Sequence, residues 1–317
     1  MLAGASGFIG TRLADDLTAR GYRVALVGRQ GPDVRWGDEA GLAAVVDGAD
    51  LLVNLAGRSV GCRYGDRNRD EIYRSRVDTT SELHRAVSGA AEPPRLWINA
   101  STATIYRHAT DRPQTEQDGE IGEGFSVDVA RNWERVFLAG ELPATRRIAL
   151  RMAIVLGDGP ALNKLATAAR FGLGGPQLDG RWLPHRRYRG IGGDPSGPTV
   201  WHGHETRGDQ KFSWIHIDDL LAAIRFLVEH DDVSGPVNCA APTASTNREL
   251  MAALRSAVGA KVGLAAPRWM LEIGMTVLRQ ESELVLKSRW VAPARLTEAG
   301  FDYRWPELAP AVADLLR

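Results

Sequence analysis

The sequence predicts an α/β fold: a doubly wound parallel sheet with helices on both faces, followed by a smaller, mainly helical C-terminal region. Three observations carry that prediction. Short apolar runs ending in glycine alternate with longer amphipathic stretches over the first half of the chain; a glycine array precedes the first helical pattern; and the last part of the chain reads mainly as helix. At 317 residues, with 44% hydrophobic and 25% charged residues, the chain is long enough for one large domain with an appendage.

Taken in order, the stretch AGASGFIGTRLADDL sets Gly4, Gly7 and Gly10 in a G-x-x-G-x-x-G array directly before the helical pattern FIGTRLADDLTAR. Only Met1, Leu2 and Ala3 precede the first glycine, where a strand usually supplies about five or six residues. Either this edge of the sheet is unusually short or the start codon is placed late. The runs ARGYRVALVGR, GADLLVNLAG, PPRLWINAS and TRRIALRMAIVLG read as further strands, with DEIYRSRVDTTSELHRAV a surface helix between two of them. GEGFSVDVARNWERVF, residues 122–137, is an amphipathic helix in which Phe125, Val129, Trp133 and Phe137 recur on one face.

From about residue 181 the texture becomes rich in Gly, Pro, Arg and His and loses its apolar period. A structureless stretch of that length reads as an insertion or lid, residues 182–211. FSWIHIDDLLAAIRFLVEH then resumes strand and helix, and GPVNCAAP reads as one more strand. The division is a nucleotide-binding domain over 1–181, the insertion over 182–211, a return to the sheet over 212–245 and a helical domain over 246–317. No internal repeat is visible.

Composition narrows the partners. A formal net charge of +0 gives no broad electrostatic case for nucleic acid or an anionic membrane. The only two cysteines, Cys62 and Cys239, match no metal or disulfide spacing, and the chain shows neither a charged-then-apolar leader nor an apolar run of about 18–20 residues. A soluble cytoplasmic protein is expected. HGH at 202–204 invites a metal reading, yet a histidine pair in a Gly-rich loop with few carboxylates and no cysteine argues for none.

The glycine array points to a dinucleotide. Glycines there permit a tight turn, let the backbone approach a pyrophosphate and turn a helix N-terminus towards the anion. At the end of the second strand pattern, VALVGRQ, Arg29 stands where an NAD enzyme usually carries an acidic residue. A guanidinium there suits a 2′-phosphate, so NADP(H) is the expected cofactor.

Larger stretches then show a family likeness. NASTATIYR and FSWIHIDDL resemble the extended and atypical short-chain dehydrogenase/reductases, and GRSVGCRYGDRNRDEIYRSRV, ARNWE, RMAIVLGDG, FGLGGPQLDG and PRWMLEIGMTVLRQESELVLKSRWVAPARLTEAGFDYRWPEL resemble their "epimerase family" subgroup, which is NAD-dependent epimerase/dehydratase-like. The likeness covers the chain outside the insertion and implies a Rossmann-type sheet. It places Gly4, Ser6, Gly7, Phe8, Ile9 and Gly10 around the pyrophosphate, Arg29 at the ribose phosphate and Asp38 at the adenine. It sets Asn54, Leu55, Ala56 and Gly57 beneath the ribose, Ser101 beside the cofactor, and Thr102 where a Ser or Thr bonds a substrate carbonyl or hydroxyl.

One departure stands out. Relatives carry Tyr-x-x-x-Lys on the 122–137 helix, where the lysine and the oxidised nicotinamide lower the phenol's pKa for proton exchange. Aligned on Glu134, this chain has Ser126 and Ala130 instead. An unperturbed serine is too weak an acid to replace a phenol. The candidates to replace it are Asp128 on the same helix, Tyr106 four residues after Thr102, and Tyr64 after the third strand pattern, with Arg131 supplying only charge.

Three readings follow. The first is an NADP(H)-dependent oxidoreductase acting on a small carbonyl, enone or sugar-like molecule; the second is a nucleotide-sugar epimerase or dehydratase; the third is a non-catalytic NADPH-binding sensor or scaffold. His185, His202 and His204 with Arg170, Arg181, Arg186, Arg187, Arg189 and Arg207 make the insertion a basic lid suited to an anionic substrate. His216 is expected to fix a strand-to-helix turn, and Asp218 with Asp219 to start the next helix. The likeness implies a dimer contact through helices 66–88 and 123–139, but the charge of the first leaves monomer and homodimer both open.

Overall fold

In the computed structural model the described residues are 1–180 and 205–317. Strand β1 (Leu2–Ala3) runs through the glycine loop into helix α1 (Phe8–Ala19), then β2 (Leu26–Gly28), β3 (Val34–Arg35) and α2 (Glu39–Val46). The alternation continues with β4 (Leu51–Asn54), α3 (Asp66–Gly89), β5 (Leu96–Thr102), α4 (Phe125–Phe137), β6 (Arg146–Met152), β7 (Ile154–Leu156) and α5 (Pro160–Ala168). After the undescribed residues come β8 (Lys211–Phe212), β9 (Trp214–His216), α6 (Ile217–Glu229) and β10 (Gly235–Cys239). The last part holds β11 (Ser245–Thr246), α7 (Asn247–Ala257), α8 (Arg268–Val277), α9 (Glu283–Leu286), α10 (Ala294–Glu298) and α11 (Leu308–Leu315).

Seven strands form one parallel sheet in the order β10-β6-β5-β4-β1-β2-β3. Side chains alternate between its two faces, as a pleated strand requires. Leu2, Val53, Ile98, Ile148 and Leu150 pack on one side with Leu13 of α1 and Leu220 and Ile224 of α6. Ala3, Leu52, Trp97 and Ala149 pack on the other with Leu42 of α2, Leu83 of α3 and Phe137 of α4. The chain works outward from β1 to β3 and returns to β4 on the opposite side of β1. This reversal opens a crevice at the carboxyl ends of β1 and β4, the usual ligand position in such sheets.

Strand β1 lies in the middle of the sheet and not at its edge. Leu2 pairs with Leu26 on one side and Val53 on the other, and the Met1 ammonium donates to the Leu51 carbonyl at 2.8 Å.

Asp179 accepts hydrogen bonds from the Thr206 N–H at 2.8 Å, the Thr206 hydroxyl at 2.9 Å and the Arg207 N–H at 3.2 Å. Thr206 and Arg207 are thereby tied to Asp179, and β8 begins at Lys211. Residues 181–204, with His185, His202, His204, Arg181, Arg186, Arg187 and Arg189 of the expected basic lid, lie outside the described residues. Among the described residues no helix is long and apolar enough to cross a membrane.

Candidate active site

The glycine loop shows which glycines the protein itself requires. Gly4 has φ +81°, and a Cβ there would lie 2.6 Å from the Leu55 carbonyl carbon; a Cβ on Gly10 would collide with the Gly4 carbonyl oxygen. Gly7 differs. Its φ is −82°, and the nearest atom to an added Cβ is the Gly4 oxygen at an ordinary 3.5 Å. Nothing among the described residues demands glycine at that position, which caps α1 without any side-chain hydrogen bond. An exposed, uncapped helix N-terminus bare of side chains fits a pyrophosphate. Ser6 and Gly7 are exposed at the mouth, whereas Phe8 and Ile9 lean on the core. The Phe8 ring closes against Gly159 in the loop after β7.

Around this loop the expected cofactor residues take different parts. Arg29 follows β2, exposed, and makes no side-chain hydrogen bond or ion pair among the described residues, so its guanidinium is available to a ligand phosphate. Asp38 caps α2, one carboxylate oxygen accepting from the Gly41 N–H at 2.9 Å. Asn54 is completely buried and acts on the chain itself. Its amide donates to Asn99 Oδ1 at 2.7 Å and Thr80 Oγ1 at 3.1 Å, and its oxygen accepts from the Ala56 N–H at 3.0 Å. It thereby sets the path of Leu55, Ala56 and Gly57 along the crevice. Ser101 is buried and donates to Glu134 Oε1 at 2.5 Å, which turns its hydroxyl into the core instead of towards a cofactor.

Helix α4 explains why the usual relay cannot be restored in place. Its apolar stripe buries Phe125, Val129, Trp133 and Phe137, and Gly124 before it has φ +102°. Ala130 is completely buried in a cluster with Ala103, Ile105, Ala153, Ala240 and Val291. A lysine there would have to displace that packing. Ser126 is half-buried near the Tyr64 phenol, whose ring meets Phe125 edge-on with centroids 4.9 Å apart. A phenol thus reaches the vacated tyrosine position from the loop after β4.

The other candidates separate cleanly. Thr102, half-buried at the carboxyl end of β5, accepts from the Thr104 N–H at 3.1 Å, which leaves its hydroxyl proton to donate. Tyr106, expected as a reactive phenol, is instead structural. It is 2% exposed, donates to Asn238 Oδ1 at 2.9 Å and accepts from Arg151 Nη1 at 2.8 Å. Burial pushes its pKa up, against the pull of Arg151. Asp128 lies half-buried in the first turn of α4, where a carboxylate suits the helix dipole, and Arg131 is exposed. His216 caps α6 by accepting from the Asp218 N–H at 3.1 Å, and Asp219 accepts from the Arg304 and Trp305 N–H groups.

Sequence reasoning missed the C-terminal contribution. The Tyr64 N–H donates to Glu281 Oε1 at 2.7 Å and Arg63 donates to the Gln280 carbonyl at 3.0 Å, which ties the loop after β4 to the segment before α9. Lys287 donates to the Thr104 carbonyl at 2.9 Å, and Arg289 donates to Thr104 Oγ1 at 3.2 Å. Burial lowers the Lys287 pKa to about 8. The two cations interrupting the apolar run ELVLKSRWV were the available signal.

A parallel sheet with this strand order and a glycine loop at its switch point defines a dinucleotide-binding α/β protein. The NAD dependent epimerase/dehydratase family model matches residues 1–124, and a domain of unknown function, DUF1731, matches residues 266–315. Human epimerase family protein SDR39U1 is 30% identical over 325 residues, spanning 100% of this chain and 99% of the human protein. The chain therefore belongs to the NAD dependent epimerase/dehydratase family, as an epimerase family protein. A crystal structure of the human protein (isoform 2) with NADPH matches with TM-score 0.81 over 99% of this chain and 98% of that one. The nucleoside-diphosphate sugar epimerase of Corynebacterium glutamicum, 26% identical, matches with TM-score 0.71 over 99% of this chain and 57% of that one.

Proposed function

We propose that this protein is an NADP(H)-dependent oxidoreductase that reduces a small carbonyl, enone or sugar-like substrate. The human relative's complex with NADPH and the unpaired, exposed Arg29 support NADP(H) as the cofactor. When bound, it supplies the hydride. Thr102 orients the acceptor oxygen with its hydroxyl proton, and Tyr64 donates the proton.

The packing of Tyr64 against Phe125, next to Ser126 at the start of α4, carries this reading. Burial, with Glu283 nearby, pushes the phenol's pKa up, while Ser126 and Arg289 pull it back. A phenol in that setting stays protonated through the neutral range. It can protonate the strongly basic alkoxide that hydride transfer leaves, though as a weaker acid than a phenol beside a lysine, and it has no anionic form near neutral pH to open an oxidation. This favours reduction over chemistry that starts by removing a hydroxyl proton.

A second reading, nucleotide-sugar epimerase or dehydratase, draws on the C. glutamicum neighbour's stated activity. One experiment separates them. The protein is incubated with NADPH deuterated at the transferable position and fractionated metabolites, and products are read by mass spectrometry. Deuterium in a reduced product with stoichiometric NADP+ supports the reductase. Isomerisation without net cofactor oxidation supports the epimerase, and NADPH binding with no label anywhere moves the weight to a sensor or scaffold.

A further inference from the structure

Arg76 differs from the other cations beside the pocket. Arg58 pairs with Glu71, Arg63 with Glu281, and Arg289 sits on the oxygens of Thr104, Leu284 and Glu283. Arg76, on α3, has no carboxylate partner among the described residues. Its one side-chain hydrogen bond runs from Nη1 to the Ile72 carbonyl at 3.1 Å, within its own helix.

Its surroundings hold the guanidinium as a plate. It lies over the Trp133 ring, 5.2 Å from the centroid, and a Cβ on Gly57 would lie 3.1 Å from its Cζ. Contact with the indole and with bare backbone restrains the guanidinium, whose N–H groups other than the one bonded to Ile72 have no partner among the described residues. Arg76 is half-buried by surface, yet burial draws its pKa down to about 10, with only the Tyr64 phenol and the Cys62 thiol opposing the shift. A guanidinium does not lose its proton at neutral pH. It stays charged, partly desolvated and uncompensated, a costly state unless a ligand supplies the counter-charge.

We infer that Arg76, packed against Gly57 and Trp133, is the receptor for a carboxylate or phosphoryl oxyanion. Arg76 packs against Gly57 and Trp133, and Tyr64 is near enough to interact with it electrostatically. The oxyanion therefore belongs either to the dinucleotide or to a substrate that carries an acidic group. The inference rests on the reading that this crevice holds NADP(H) and a reducible substrate, and it narrows that substrate to an anion in the second case.

Arg76→Gln and Arg76→Lys test it, with circular dichroism to verify folding. NADPH affinity is read from cofactor fluorescence. The melting temperature of the NADPH complex is read with and without millimolar oxalate or inorganic phosphate. A rise of at least tenfold in the NADPH Kd of Arg76→Gln assigns the site to a phosphate of the dinucleotide. An NADPH Kd within twofold of wild type, with loss of a few-degree rise produced by the small anions, assigns it to the substrate. Retention of both responses overturns the inference. If Arg76→Gln does not fold, Arg76→Lys decides, because one ammonium cannot grip an oxyanion through two parallel N–H bonds. A fivefold loss in either response then supports the inference, and wild-type behaviour overturns it. Should the wild type bind no NADPH while the small anions still raise its melting temperature through Arg76, the cofactor reading fails and the oxyanion site stands.

Discussion

Glu134 and Arg151 meet fork to fork in the interior, with Nε to Oε1 at 2.8 Å and Nη2 to Oε2 at 2.7 Å. Ser101 joins the carboxylate and Tyr106 the guanidinium, and Tyr106 passes on to Asn238. One chain of polar contacts therefore crosses α4, β5, β6 and β10 beneath the site. Removing one partner leaves the other charge buried, which costs about 3–5 kcal/mol. Glu134→Ala should lose stability on that scale in urea denaturation, and Tyr106→Phe about 1–3 kcal/mol through the polar groups it leaves unpaired. Folded Tyr106→Phe should bind NADPH normally. If it keeps full stability but loses turnover, Tyr106 is a reacting group and not a structural one.

The glycine loop makes a prediction with two arms. Gly10→Ala forces a Cβ into the Gly4 carbonyl, so it should destabilise the fold by about 1–3 kcal/mol or more. Gly7→Ala meets nothing closer than 3.5 Å among the described residues, and its melting temperature should stay close to wild type. Its NADPH Kd should nevertheless rise at least tenfold, because the methyl group occupies the space in front of α1. Normal cofactor affinity in Gly7→Ala would move the pyrophosphate elsewhere.

What could be read from the sequence was what depends on neighbours along the chain. The α4 stripe shows in one helix's own periodicity, and the glycine array shows because a tight turn and a close backbone approach exclude side chains locally. The fate of Tyr106 was not legible, because its partners Arg151 and Asn238 lie 45 and 132 residues away. Tyr64 could be named as a phenol, but not its placement beside Ser126, since that depends on how the loop after β4 folds back against α4. Arg76 went unnoticed because it looks like any other charge on a strongly charged helix. Only the packing of Gly57 and Trp133 around it distinguishes it.

Arg29 should decide the choice between cofactors. Charge-assisted hydrogen bonds to a phosphate are worth about 1.5–3 kcal/mol, or roughly a 10- to 100-fold change in affinity. Arg29→Ala should weaken NADPH binding by such a factor and leave NADH nearly unchanged, as read by titrating the fluorescence of each cofactor. Equal losses for both would mean that Arg29 touches a part of the dinucleotide common to the two.

Lys287 should leave its mark on the pH dependence of stability. It is 7% exposed, and burial lowers its pKa from the ordinary 10.5 to about 8, against the attraction of Glu283. Below about pH 8 the folded protein carries the buried charge and bears its cost, on the order of 3 kcal/mol for a gap of this size. Between about pH 8 and 10.5 the unfolded chain still holds a proton that the folded chain has released, so unfolding takes up a proton and stability rises with pH. Above that window both states are neutral and the contribution is flat. Lys287→Met removes the titration while keeping an unbranched side chain of similar length. In urea denaturation across pH 7 to 10, the wild type should gain stability relative to Lys287→Met as pH rises. Parallel curves for the two proteins would mean that Lys287 keeps an ordinary pKa in the fold, through a counter-charge that its Thr104 contact does not supply.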